Sequence, residues 1–155
     1  MSHMRCVCLL LHCSQEGGIT VPHQSNHITA GLYDEWIYYQ SSFYYMSNER
    51  KSWTESSKDC LKRRANLIII NNREEQDFVK NNTVKREFWI GLTDIDVEGS
   101  WKWVDGISYH TEKPNGGRVE NCAVTYLTKW PDLLGWLDVK CNNAYQWICE
   151  KSIWP

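Results

Sequence analysis

Cysteine is the residue type best placed to do chemistry in this chain of 155 residues, which holds seven of them. Cys60, Cys122, Cys141 and Cys149 lie in a body rich in Trp and Tyr, where an even set reads as a disulfide framework of an oxidising compartment. Four cysteines allow three pairings, and spacing alone decides none of them. Cys6, Cys8 and Cys13 stand apart beside His12. Their Cys-x-Cys spacing, with no second knuckle, argues against zinc and for free or intermolecular thiols in a tail. Catalysis lacks its parts: His110 is the only histidine after residue 32, and neither a nucleophile with an ordered base nor a phosphate-cradling glycine loop is visible. The chain reads as not an enzyme.

Elements must hold those cysteines in place. Trp36 to Tyr39 and Phe43 to Met46 are strand-like runs around the polar Gln40, Ser41 and Ser42, which predicts a hairpin. Ser52 and Glu55 have the spacing of a capping box, opening a helix that ends near Ala65 and on which Trp53, Cys60 and Leu61 share one face. After the apolar run Leu67 to Ile70, Asn72 and Glu75 repeat the cap signal. Glu74, Glu75 and Asp77 suit the positive end of a second helix, with Phe78 and Val79 as its buried contacts. Beyond Phe88 come short aromatic strands, Phe88 to Leu92, Trp101 to Val104, Ala123 to Tyr126 and Tyr145 to Cys149, punctuated by Gly99, Gly106, Pro114, Gly116 and Gly117. Two helices followed by several strands make an α+β domain, expected over residues 33–155. Residues 1–32 carry Gly17, Gly18, Pro22 and the other histidines, and read as a tag- or stalk-like tail in which Met1-Ser2-His3-Met4 is similar to a cloning remnant.

Charge narrows the partners. The formal net charge is -2 and both signs are interspersed, so no extended positive field exists to hold polyanions, and nucleic acid is not an expected partner. Lys62, Arg63 and Arg64 read as a solvated helix face. No run approaches the roughly 20 apolar residues that cross a bilayer. The expectation is therefore a secreted protein, or the ectodomain of a membrane protein whose anchor or signal lies outside this sequence. Asn81-Asn82-Thr83 is a glycosylation acceptor that agrees with an extracellular location.

From Trp36 to Lys151 the chain resembles a C-type lectin-like domain. The resemblance is strongest in Phe88-Trp-Ile-Gly-Leu-Thr-Asp94, Glu98-Gly-Ser-Trp-Lys-Trp-Val-Asp-Gly106 and Trp147-Ile-Cys-Glu-Lys151, and is nearest to receptor-type lectins of the mannose-binding group, particularly those of fish immune cells. It implies two helices with antiparallel sheets and long ligand-side loops, stabilised by disulfides Cys60 with Cys149 and Cys122 with Cys141. Closing the longer loop would constrain the unfolded chain by roughly 4 kcal/mol. It also makes Trp89, Trp101, Trp103 and Trp147 core residues. A third disulfide found in many relatives maps onto Leu32 and Phe43, where both half-cystines are absent together.

The same resemblance implies a calcium site, which in sugar-binding relatives is built from a Glu-Pro-Asn loop, an upstream Glu and a Trp-Asn-Asp strand. Calcium takes about six to eight oxygen ligands, and its carboxylates and amides also hydrogen-bond vicinal sugar hydroxyls. Here the loop is Lys113-Pro114-Asn115, the acid is Glu120 and the strand is Trp136-Leu137-Asp138. An ammonium about 4 Å from a dication costs on the order of 2 kcal/mol in water and about 8 at an effective dielectric of about 20. Leu137 supplies no oxygen. Calcium is thus expected to be weak or lost, with Asn115, Glu120 and Asp138 as its remaining ligands and Glu112 as a partial substitute if the loop slips by one residue. An auxiliary calcium site maps onto Asp94, Glu98 and Asn121, with Gly116 at a further position; Asp94 and Glu98 equally suit capping of a turn. Thr125 to Leu134 reads as a long loop in which Trp130 is either a platform for a sugar or protein ligand or a buried structural ring.

Two functions follow from the resemblance. One is glycan recognition through Glu112, Lys113, Asn115, Glu120, Trp130 and Asp138 by an innate-immune-type cell-surface receptor, with calcium dependence weakened or absent and oligomers expected as in relatives. The other is a calcium-independent receptor for a protein ligand, of the natural-killer lectin-like type.

Overall fold

The computed structural model describes residues 35–110, 117–127 and 134–153. Cys6, Cys8, His12, Cys13, Leu32, Glu112, Lys113, Pro114, Asn115, Gly116, Trp130 and Pro131 lie outside those residues.

Strands β1 (Trp36–Tyr39) and β2 (Ser42–Met46) form the expected hairpin, closed by a two-residue turn, because Ser42 is already paired with Tyr39. Gln40 and Ser41 both hold positive φ, at 42° and 65°. Helix α1 (Trp53–Lys62) starts with the expected box: Ser52 Oγ accepts from the Glu55 amide and the Glu55 carboxylate accepts from the Ser52 amide. It stops three residues before Ala65, at an Arg63 cap. Only part of that shared face is buried. Cys60 is fully enclosed, but Leu61 is 59% exposed, since the Cys60 bond to the last strand fixes the helix rotation and turns Leu61 outward. Helix α2 (Arg73–Thr83) is capped by Asn72 and buries Phe78 and Val79. The glycosylation acceptor falls in its last turn, with Asn81 exposed and Thr83 buried.

The remaining strands are β3 (Asn66–Leu67), β4 (Phe88–Thr93), β5 (Lys102–Trp103), β6 (Cys122–Leu127), β7 (Leu134–Val139) and β8 (Gln146–Ser152). They join in the order β1-β2-β8-β4-β6-β7, with β3 on β8 and β5 on β4. Pairing is antiparallel except between β4 and β8, which run parallel with Phe88 opposite Gln146 and Trp89 opposite Trp147. The expected antiparallel sheets are present, and this joint is the one parallel pairing among the described strands. A long connection separates the two strands, so they need not be antiparallel as hairpin partners must be.

The alternating faces of β4 and β8 feed two packed cores. One gathers Phe78, Phe88, Ile90, Leu92, Trp101, Trp103 and Ile148; the other gathers Trp36, Cys60, Leu67, Trp89, Val124, Trp147 and Cys149. All four tryptophans expected inside are buried. At Gly91 a Cβ would lie 2.8 Å from the Leu67 carbonyl oxygen and 3.0 Å from that of Ile68, so only glycine lets β4 approach this segment. Phe43, at the position of a missing half-cystine, packs against the Tyr38 ring with centroids 5.4 Å apart.

Candidate functional site

The paired strands β6 and β7 carry Leu137 and Asp138, two of the residues expected on the ligand side. Their register pairs Thr125 with Trp136, Val124 with Leu137, Ala123 with Asp138 and Cys122 with Val139. Thr125, Tyr126, Leu127 and Leu134 are therefore strand residues rather than parts of the loop expected from Thr125 to Leu134, and residues 128–133 lie outside the described residues. The continuous, fully buried apolar run Cys122 to Val124 and the Thr125 hydroxyl, which accepts from the Phe88 amide at 2.9 Å and donates to the Arg86 carbonyl, hold β6 in the sheet.

Strand β7 sorts its side chains by the two-residue period. Trp136 turns inward, its ring edge-on to Trp103 and its indole N–H donating to the Tyr109 hydroxyl at 3.1 Å. Leu137 faces the other way and is 40% exposed. Asp138 is 9% exposed, and its Oδ2 meets no donor among the described residues. A buried carboxylate oxygen without a partner is costly. Leu137, one residue earlier, adds only hydrocarbon.

A second group forms where β4 ends. Asp94, 3% exposed, accepts from the Gly99 amide through Oδ2 at 2.7 Å and from the Val97 side of the turn through its backbone carbonyl. The turn-capping role expected of it is thus present. Its Oδ1 has no donor among the described residues. Asn121 is drawn to the same place: its backbone carbonyl accepts from the Asp94 amide and the Thr93 hydroxyl, and its side-chain amide donates to Glu98 Oε2 at 3.3 Å. Asp94, Glu98 and Asn121 therefore come together at one turn, while Glu120, half-buried, lies two residues before β6.

As a test of calcium, the two positions differ. Asp94 Oδ1 and Asp138 Oδ2 each offer an unpaired buried oxygen, which suits a hard cation. The auxiliary turn supplies Asp94 and Glu98 oxygens and an Asn121 amide, fewer than calcium takes, so the group fits in part. At the position expected for the primary site, Leu137 beside Asp138 carries no oxygen, and Asn115 lies outside the described residues. Among the described residues no three His, Cys, Asp or Glu gather to hold a metal ion.

Both disulfides bear on this face. Cys60 is bonded to Cys149, and Cys122 to Cys141, with sequence separations of 89 and 19. The second closes the base of the β6–β7 pair, and the Cys141 carbonyl accepts from the Trp53 amide at 2.9 Å, so the base is also tied to α1. This bridge brings Arg118 and Lys140 to a common cleft beside Asn121. Sequence reasoning missed that pair. Arg118 and Lys140 lie far apart in the chain, and only their nearness to Cys122 and Cys141 could have linked them.

Residues 49–151 match the profile of the lectin C-type domain. The chain belongs to the C-type lectin family. Among curated relatives, this lectin domain is 40% identical over 131 residues to human asialoglycoprotein receptor 2, an alignment covering 75% of this chain and 39% of that protein. Among solved structures, the mouse scavenger receptor C-type lectin carbohydrate-recognition domain superposes with a TM-score of 0.68 at 31% identity, covering 79% of this chain and 98% of that one. The C-type lectin domain of murine dendritic cell inhibitory receptor 2, in complex with N-glycan, gives a TM-score of 0.68 at 26% identity, covering 77% and 98%. The C-type lectin chain spans between 24% and 39% of the length of curated relatives it matches.

Proposed function

We propose that this C-type lectin domain is the extracellular carbohydrate-recognition module of an innate-immune-type cell-surface receptor, binding glycan with weakened or absent calcium dependence. The folded domain runs over residues 33–155, and residues 1–32 serve as a tail or stalk. The ligand face comprises Glu112, Lys113, Asn115, Glu120, Trp130 and Asp138. Glycan as ligand is supported by family membership and by the N-glycan held by the murine inhibitory receptor domain. A type II membrane anchor and stalk-linked oligomers complete the proposal; the latter is in line with the trimeric structure of the related Kupffer cell receptor.

The observation that supports weakened calcium dependence is Leu137, 40% exposed beside Asp138, whose Oδ2 meets no donor among the described residues. When bound, calcium supplies a dication that holds vicinal sugar hydroxyls. Asn115, Glu120 and Asp138 would be its protein ligands at the primary position, and Asp94, Glu98 and Asn121 at the auxiliary one. With Lys113 and Leu137 in place of two oxygen ligands, sugar hydroxyls donating to Glu120 and Asp138 and hydrogen-bonding Asn115 must orient the sugar directly. No step of this role requires catalysis.

The exposed Leu137 also favours a second reading, a calcium-independent protein ligand, because an apolar side chain on an edge strand suits a protein contact better than a sugar hydroxyl. A glycan panel probed with calcium and with EDTA separates the two. Sugar binding that survives the chelator supports the proposal. Silence under both conditions rejects glycan as the ligand and leaves the protein receptor.

A further inference from the structure

A shallow cleft of about 520 Å³ opens beside the Cys122–Cys141 bridge and is lined by Ile95, Arg118, Val119, Asn121, Lys140 and Asn142, with Asp138 outside its lining. Its composition is unusual for a surface of a chain with net charge -2. Two cations and two amides line it, and none of its lining residues is a carboxylate. Among the described residues no ion pair involves Arg118 or Lys140. Of the acids around it, Glu98 is engaged by the Asn121 amide and Asp94 by the Gly99 amide, while Asp96 and Glu120 are chain neighbours of Ile95 and Asn121 and do not line the cleft. The walls are apolar and open: Ile95 is 52% and Val119 64% exposed.

The backbone here is fixed. The Cys122–Cys141 bond holds the two cation-bearing segments together, Val119 and Glu120 amides both donate to the Gly117 carbonyl, and the Thr93 hydroxyl anchors Asn121. Arg118 and Lys140 therefore project from a preformed base.

Building on the glycan reading above, we infer that this cleft is a subsite for an N-acylated sugar bearing a carboxylate. A guanidinium pairs with a carboxylate through two parallel hydrogen bonds, and the Lys140 ammonium adds a second positive charge. The Asn121 and Asn142 side chains supply hydrogen bonds for ring hydroxyls or an acyl carbonyl. Ile95 and Val119 give the acyl methyl an apolar contact. The anionic ligand replaces, through side-chain cations, the electrostatic attraction that a weakened metal site no longer provides.

The test is a titration, followed by NMR, of the methyl glycoside of N-acetylneuraminic acid, its carboxyl methyl ester, galactose 6-sulfate and neutral N-acetylglucosamine. The free acid is expected to shift amides of residues 117–121 and 140–142 and to bind more tightly than its ester. Arg118→Gln and Lys140→Gln, both on exposed side chains, should each weaken the acid about fivefold, the scale of one exposed charge contact. Raising the salt should weaken it further. Equal binding of acid and ester, or equal or tighter binding of the sulfated sugar, overturns the carboxylate subsite. Unchanged affinity in both variants does the same. If neutral sugars bind and the acid shows no preference, this inference fails while glycan recognition stands; if no sugar binds, acidic or neutral, both fail.

Discussion

The Tyr44 hydroxyl donates to Glu75 Oε1 at 2.8 Å, joining strand β2 to helix α2 within the first core. Glu75 Oε2 accepts from the Asn71 amide, and a second carboxylate, Glu150 on β8, accepts from Ser42 Oγ and from the Ile69 amide. Burial pushes both carboxyls above their usual range, and at Glu150 the charge of Glu75 adds to it. Burial, with Glu150 and Glu75 nearby, likewise raises the Tyr44 phenol far above its usual value.

A carboxyl raised on folding binds its proton more tightly in the native state, so its contribution to stability is full below the unfolded pKa and is lost as pH rises through the folded one. Thermal melting should therefore show this pair favouring mildly acidic over neutral pH. Glu75→Gln should flatten that slope, because glutamine keeps an acceptor for Tyr44 without titrating. A wild-type slope unchanged by the substitution would show that the pair does not set it.

The two disulfides differ in loop length, 89 against 19 residues of separation. In the chain-entropy model, opening the Cys60–Cys149 loop costs about 4.6 kcal/mol and opening the Cys122–Cys141 loop about 3 kcal/mol. Urea denaturation of the paired alanine variants should rank them in that order.

Gly91→Ala should destabilise the domain by about 1–3 kcal/mol, as overpacking does in a close-packed core. The new methyl meets two backbone carbonyls and Val104 Cγ2 at 3.0 Å or less, and the carbonyls cannot rotate away as a side chain would. A melting temperature equal to wild type would mean that the β4 approach relaxes freely.

The turn Gln40-Ser41 holds two non-glycine residues at positive φ, where Asn-Gly is the favoured pair. Gln40→Asn with Ser41→Gly should stabilise the protein by about 1 kcal/mol, measurable by denaturant midpoint. Loss of stability would assign these side chains a contact that outweighs the strain.

Local signals carried most of the architecture. Ser52 with Glu55 and Asn72 with Glu75 marked both helix starts, since a cap is a short-range hydrogen bond written in adjacent residues. The outward turn of Leu61 and the parallel contact of Trp89 with Trp147 were not readable, because they are set by a disulfide and a pairing between distant segments. Strand β7 was visible only through the Trp136-Leu137-Asp138 resemblance, its alternation being interrupted by Gly135 and by an acid on the inner face. At the site, the residue types at Lys113 and Leu137 were plain, while their place in a calcium site rested on the resemblance alone. The meeting of Arg118 with Lys140 was not, since it exists only once Cys122 and Cys141 are joined.

Calcium titration read by melting temperature tests the central claim most directly, because an ion bound only by the native state raises stability by mass action. At 1 mM calcium the wild-type domain should gain no more than about 2 °C, the shift expected for a dissociation constant near or above that concentration. Lys113→Glu with Leu137→Asn, restoring two oxygen ligands, should gain clearly more. A wild-type rise of about 10 °C, the mark of a hundredfold excess over the dissociation constant, would contradict the account and make this an ordinary calcium-dependent lectin.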